Sequence, residues 1–566
     1  MFRQHTLFSL IYPLHLSKPQ VKANISLADR TFHRDSKDVL GCCGRPKPFC
    51  RKLSFILREK LSDVNQRPTY LHEHKLETPL SIAMEEGHQE TAELLSRADG
   101  INPCLTTDLT KGPWEEISIL GLAIRGGFKD VALSLLDRCD IGHYSQDTDD
   151  NGTKDTIEPV SKLLVFAVAA GCPRIVRELL AKHSPDVNVV YEYYAGEALG
   201  WVEDSPLMAA SRRGDLNTVR LLLDMEEIRP GVDPKHSGTA LTAAAQGGFI
   251  GVIKVLIADG RIEVDYKNDK GRTALSFVAE RGFEAVVDEL IATGAIDPNS
   301  RDSRARTPLI WATNPGRRYR PGGWQSHEGV TRRLLADGQI AANVKDDDGR
   351  TALWYAAKNG ALGLVMALLE HPQIDPMAGP EHTPPLVAAS RGHADMIQTL
   401  LSSGRVDVNT ALARSSERTA LMVVVEYGGE ESESATKVLL SVSGIDADFQ
   451  DSYGLTALML AVFGGTVGMV KQILAAGGNP NMQDNNGNTV LSHARDVEKI
   501  KALLGVPGIK PDLPNNAGRT ALCIAAESGK IEDINALLAS DDINPDSRDI
   551  HGRGPLSWIS GENGLK

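Results

Sequence analysis

Residues Gly271–Leu275 read GRTAL, and the same five residues return at Gly349–Leu353 and Gly518–Leu522. A catalytic loop is normally built once, so a recurring pentapeptide marks a building block. Aligning the chain on the Thr of this phrase, or on its substitute, gives Thr78, Ser118, Lys162, Ser205, Thr239, Thr273, Thr307, Thr351, Thr383, Thr419, Thr456, Thr489, Thr520 and Gly554. Ser205, Thr239, Thr273 and Thr307 stand 34 residues apart, and the other intervals run from 31 to 44. A period near 33 held over a dozen units is the mark of a solenoid.

Each unit repeats one grammar. Thr followed by a small residue or Pro starts a helix, because its hydroxyl can cap free N–H groups and Pro at the next position (Pro79, Pro206, Pro308) loses no bond there. Leu241 and Ala244 then share a face, and Gly248 ends this first helix by accepting a left-handed conformation. A second helix carries an aliphatic pair about 17 residues after the Thr, as in Leu222–Leu223, Leu368–Leu369, Leu400–Leu401 and Leu537–Leu538. A polar exit such as DVN (Asp186–Asn188) or IDPN (Ile296–Asn299) and a turn such as NDKG or DDDG lead to the next Thr. Neither helix can bury its apolar side within one unit, so stacking must supply the partner. The expected fold is an all-α solenoid of helix-turn-helix units with projecting hairpin loops.

TPLIWA at Thr307, TPLSIA at Thr78 and SPLMAA at Ser205, with Gly87–His88 and Gly392–His393 after the first helix, resemble the ankyrin repeat. The resemblance covers residues 74–566, about 13 units with an incomplete last one. Leu57–Asn65 looks like part of a degenerate unit within 52–73, and residues 1–51 read as a disordered leader. Several positions depart from the family pattern: Lys162 replaces the capping Thr, Pro385 takes the Leu position, and Val278 and Val424 replace the core Ala. The Thr489 unit is short and lacks its helix-ending Gly, and the final GPLSWISGENGLK gives one first helix and stops. The phrasing IDPN…GRTPL is similar to that of long arrays encoded by filamentous fungi. The resemblance implies a non-enzymatic scaffold or adaptor that binds a partner protein through the concave face and hairpin tips. Family members also act as transcription co-regulators through a bound transcription factor.

Composition agrees with this and narrows the partners. Hydrophobic residues make up 42% of the 566, but aromatics only 5%, which suits thin Ala- and Leu-based layers. A net charge of −13 argues against nucleic acid as the default partner, since phosphate binding needs a concentrated basic face. Seven scattered cysteines form no even framework and read as reduced thiols of an intracellular protein, cytoplasmic or nuclear. No stretch approaches the length of a membrane span. The acid-poor start MFRQHTLFSLIYPLHLSK weakly imitates a transit peptide, a reading we do not favour.

Two segments fall outside the repeat grammar and are the candidate sites. DTDDNGTKDTIE, Asp147–Glu158, fits the calcium-loop template, with Asp147, Asp149, Asn151, Asp155 and Glu158 as oxygen ligands and Gly152 at the sharp turn. It would make a calcium-responsive adaptor. Against this, Lys154 stands where an aliphatic residue is usual, Pro159 follows at once and no second loop exists, so a solvated acidic insertion is the preferred reading. The second segment, Asn314–Gly329, interrupts the Thr307 unit and carries Arg317, Arg318, Tyr319, Arg320 and Trp324; Trp354 and Tyr355 follow in the next first helix. Arg beside Tyr and Trp is the composition of interface hot spots and of acidic-peptide recognition. The alternative is a solvated basic loop with Tyr355 as ordinary core.

The acidic EYGGEESESA from Glu426 and the cysteines of Cys42–Cys50 are weaker candidates, because a solvated loop and an unmatched zinc spacing explain them as well. No phosphate loop, His-Glu-x-x-His pair or nucleophile elbow is present. An enzyme is therefore not expected, nor a cofactor.

Overall fold

In the computed structural model the described residues are 78–559, apart from 86, 98–100, 104–105, 109–115, 139–159, 195–200, 232–237, 317–323, 380–382, 412–416 and 428. The leader, the degenerate unit near Leu57–Asn65 and the whole calcium-loop candidate lie outside them.

Residues 1–206 and 207–566 form two compact parts. In the first part three antiparallel helix pairs are described: Pro79–Glu85 with Gln89–Ser96, Ile119–Arg125 with Lys129–Leu136, and Val160–Ala169 with Pro173–His183. Two antiparallel hairpins accompany them. Strand β1 (Thr106–Asp108) pairs with β2 (Glu116–Ser118), with Thr106 opposite Ser118; β3 (Tyr191–Tyr194) pairs with β4 (Trp201–Asp204), with Tyr191 opposite Asp204. Each hairpin delivers the chain to the next capping residue, and Ser118 accepts the Gly121 amide at 2.9 Å. At Lys162 the pattern fails, because a lysine cannot cap; the helix instead begins two residues earlier at Val160, and the ammonium lies 5.5 Å from the Phe166 ring.

From Pro206–Arg213 onward ten further pairs follow, then the single helix Pro555–Ile559. Within this second part the first helix packs on its own second helix in eight of the ten pairs, and from Ala240–Gly247 onward each first helix packs on the first helix of the next unit. The Thr hydroxyl caps as expected at Thr273, Thr307, Thr351 and Thr456, accepting the amide three residues on. Gly248 closes its helix at φ 71°. Leu241, Ala244, Leu275, Ala279, Leu309 and Ala312 are buried in thin layers, and so are Val278 and Val424 at the expected Ala positions. Of the aliphatic pairs, the leading residue is the core one: Leu537 is buried while Leu538 is 48% exposed. Burying one Leu contributes about 1.5–3 kcal/mol, and each layer repeats that gain.

The polar connections are as regular as the core. Five residues before the Thr, an Asp or Asn side chain accepts two turn amides: Asp302 Oδ1 takes those of Arg304 and Arg306, and Asp346 Oδ1 those of Asp348 and Arg350. Neighbouring turns are joined by single bonds, Ser303 N–H to the Lys270 carbonyl and Asp347 N–H to that of Arg304. The Asn of the exit phrase clips the following unit with both ends of its amide. Asn299 donates to the Gln339 carbonyl and accepts from Ala341 N–H, and Asn343, Asn409 and Asn481 repeat the pattern.

Candidate functional site

The Arg of GRTAL has a structural task in two of its three copies, those at Arg272 and Arg519. Arg272 precedes the capping Thr273, and its side chain runs along the first helix to the carboxylate of Glu280, seven residues after the Thr, at 2.6 Å. Its other nitrogens donate to the Ser276 hydroxyl and carbonyl. The guanidinium centre lies 3.9 Å from the Phe277 ring centroid and 3.8 Å from that of Trp311 in the next unit. Burial pushes the Arg272 pKa down, with Glu280 opposing that. The same span from the residue before the Thr to the seventh after it is closed by Arg418 with Glu426 and by Arg519 with Glu527. Each pair is a strut across the groove between hairpin turn and helix end.

Trp311 joins two units. Arg306 lies 3.9 Å from its centroid, so with Arg272 at 3.8 Å the two guanidiniums must occupy opposite faces. Its indole N–H donates to Asp302 Oδ2 at 3.2 Å, and Arg306 binds the same oxygen at 2.8 Å. Trp558 is held likewise by Arg519 and Arg553, at 4.2 and 4.0 Å. Cation–π pairs of this kind contribute about 0.5–2 kcal/mol each.

At the Thr307 and Thr351 units the strut is absent. The residues seven after each Thr are Asn314 and Lys358, not Glu. A cavity of about 470 Å³ opens there. Arg304, Arg306 and Arg350 line it from the turn side with Asp346, Asp347 and Asp348; Asn314 and Lys358 line it from the helix-end side; Tyr355 also contributes. Tyr355 is 6% exposed and its hydroxyl donates to Asp346 Oδ2 at 2.7 Å. Burial raises its pKa above the ordinary tyrosine value, and the bond to Asp346 adds to this. Arg350 pairs with Asp348 at 2.6 Å.

The residues expected at an interface are distributed unevenly. Arg317, Arg318, Tyr319 and Arg320 lie outside the described residues. Trp324 is half-buried at the start of helix Gln325–Leu335, its ring 5.9 Å from His327. Trp354 is 7% exposed, and with Tyr355 it offers little free surface. The Thr307-to-Thr351 interval is 44 rather than 34 residues, and His327 resumes the repeat after the extra ten: its Nε2 donates to the Glu280 carbonyl at 3.1 Å, tying the second helix to the preceding unit. Arg332 and Arg333 point elsewhere, to exposed pairs with Glu370, Glu284 and Asp288. Sequence reading missed Arg306, Arg350 and Lys358. The signal was available, since aligning the units places Lys358 where Glu280, Glu426 and Glu527 stand.

Among the described residues no group of three or more His, Cys, Asp or Glu is placed to hold a metal ion, and no helix is long and apolar enough to cross a membrane. A stacked array of helix pairs with a period near 33 residues defines a helical repeat protein. The family model for ankyrin repeats (three copies) matches residues 163–268, 324–411, 386–484, 421–512 and 463–549, more than half of the sequence, and the chain belongs to that family. It is also similar to the solved human ASB11 ankyrin repeat domain, at 24% identity over 42% of this chain and 100% of that one, with a TM-score of 0.34.

Proposed function

We propose that this chain is a non-enzymatic adaptor that holds a partner protein in the groove of the Thr273, Thr307 and Thr351 units. Ankyrin repeats are in general protein–protein interaction modules. The observation that carries the location is the 470 Å³ cavity, open where two struts are missing and edged by Asn314, where the inserted segment Asn314–Gly329 begins. A groove already lined and cross-braced by ion pairs has less ordering entropy to lose on association. The insertion's Arg317, Arg318, Tyr319, Arg320 and Trp324 supply further contacts at the rim in this reading.

The test is cross-linking mass spectrometry of the tagged protein in extract of its native cells, beside a variant whose Asn314–Gly329 is a short Gly-Ser loop. One dominant partner, cross-linked within residues 270–360 and lost in the variant, is the expected result. Cross-links confined to other units, unchanged by the variant, would sink the location. The co-regulator form of this reading requires nuclear accumulation and a transcription factor as the cross-linked partner; the cytoplasmic scaffold form requires neither.

A further inference from the structure

We infer that the cavity at the Thr307 and Thr351 units receives an acidic side chain of the partner, Glu or Asp, in place of the carboxylate that the chain supplies to itself elsewhere. The inference rests on the groove reading above and adds the chemistry of what enters it.

The repeat itself is the argument. In the Thr273, Thr419 and Thr520 units, the Arg before the Thr meets a Glu seven residues after it. In the Thr307 and Thr351 units the Arg is kept, as Arg306 and Arg350, but the Glu position holds Asn314 and Lys358. Both guanidiniums keep carboxylates on the turn side only, Asp302 and Asp348. In the Thr351 unit Arg350 from the turn side and Lys358 from the helix-end side both approach one ring, at 4.9 Å and 5.1 Å from the Trp354 centroid. Lys358 is exposed and pairs with no carboxylate among the described residues, so an anion entering between the turn and the helix end meets an ammonium that the chain itself does not neutralise. A carboxylate there would make charge-assisted hydrogen bonds to a guanidinium and an ammonium together.

The acids on the wall do not fill this role. Asp346 is committed to the Tyr355 hydroxyl and to two turn amides, and Asp348 to Arg350. Asp347 is exposed at the turn and pairs with no side chain among the described residues. It sets a polarity: the acidic side chain points toward Lys358, and its neighbour on the turn side is neutral or basic.

Random linear peptides displayed on phage are selected against the full chain, and the enriched sequences are measured by fluorescence anisotropy. Lys358→Glu restores the missing carboxylate, Lys358→Gln removes only the charge, and Lys471→Glu on an outer helix matches the change in net charge. The expected result is a shared Asp or Glu in the enriched peptides. Its replacement by Ala and the Lys358→Glu change should each weaken binding about tenfold or more, without adding when combined. Lys358→Gln should fall between, and Lys471→Glu should leave binding unchanged. Peptides that protect the Thr307 and Thr351 units from hydrogen exchange but share no acid, or that bind Lys358→Glu unchanged, would overturn the inference and spare the groove reading. Peptides that protect only other units would overturn both. Selection that enriches nothing would overturn the capture of a linear acidic segment.

Discussion

Arg272 and Glu280 form a 2.6 Å ion pair in which both side chains are about nine-tenths buried, joining the two ends of one short helix across the groove. The Arg272 guanidinium is flanked by the Phe277 and Trp311 rings, which keep water from it. Removing one partner strands the other, at a cost of about 3–5 kcal/mol. Glu280→Ala and Arg272→Ala should each lower the thermal unfolding midpoint markedly and speed hydrogen exchange in the Thr273 and Thr307 units. The double change to Leu and Met should cost less than either single, because no buried charge remains. A double variant no more stable than the singles would mean that packing, not charge, holds this layer.

Most of the fold was legible in the sequence, because a solenoid repeats its constraints. Thr caps, Gly stops and Leu pairs were each stated a dozen times, so local exceptions such as Lys162 moved one helix start without changing the architecture. The candidate site was less legible. Arg and Trp in the insertion stand out by composition, whereas Arg306 and Arg350 read as framework because they belong to the repeat. What distinguishes them is the residue seven places later, which closes the groove when it is Glu and opens it when it is Asn or Lys. That relation is one of register between aligned units. It becomes visible once the helix is known to bring positions eight apart to the same side chain's reach.

Ala305 occupies a left-handed conformation at φ 57°, the position held by Gly271, Gly349 and Gly518 in other units. An L-residue there costs about 1–2 kcal/mol relative to glycine. Ala305→Gly should therefore stabilise the chain by about 1 kcal/mol. The converse, Gly271→Ala, should destabilise by more than the backbone term alone, since its Cβ would lie 3.0 Å from the Asp302 Cα. Chemical denaturation monitored by circular dichroism decides both; a destabilising Ala305→Gly would remove strain as the explanation.

Asn299 binds the Gln339 carbonyl with its amide nitrogen at 2.8 Å and accepts the Ala341 amide with its oxygen at 2.6 Å. The two contacts couple successive units at the outer loops. Asn299→Asp keeps the acceptor and sets a carboxylate against the carbonyl, while Asn299→Ala loses both bonds. Each lost hydrogen bond should cost about 0.5–1.5 kcal/mol, and exchange at the Ala341 amide should rise more for Ala than for Asp. Equal exchange in wild type and Asn299→Ala would show that the clip carries no coupling.

His493 donates from Nε2 to Asp484 Oδ2 at 2.9 Å and packs against Phe463 at 4.7 Å between ring centroids. Burial pushes its pKa below the ordinary histidine value, and nearby Arg495 pushes the same way; the bond to Asp484 opposes them without reversing the direction. The unfolded chain, with an ordinary value of about 6.5, then binds the proton at higher pH than the folded chain does. Stability accordingly rises with pH across this window. His493's contribution is complete above the unfolded pKa and is lost as pH falls from there through the folded one. A histidine Cε1–H resonance assigned to His493 should titrate with a midpoint below that of the unfolded chain. His493→Gln should also flatten the fall in unfolding midpoint between neutral and mildly acidic pH. A midpoint above the ordinary value would mean that the Asp484 carboxylate outweighs desolvation, and acidification would then strengthen this short unit of the array rather than loosen it.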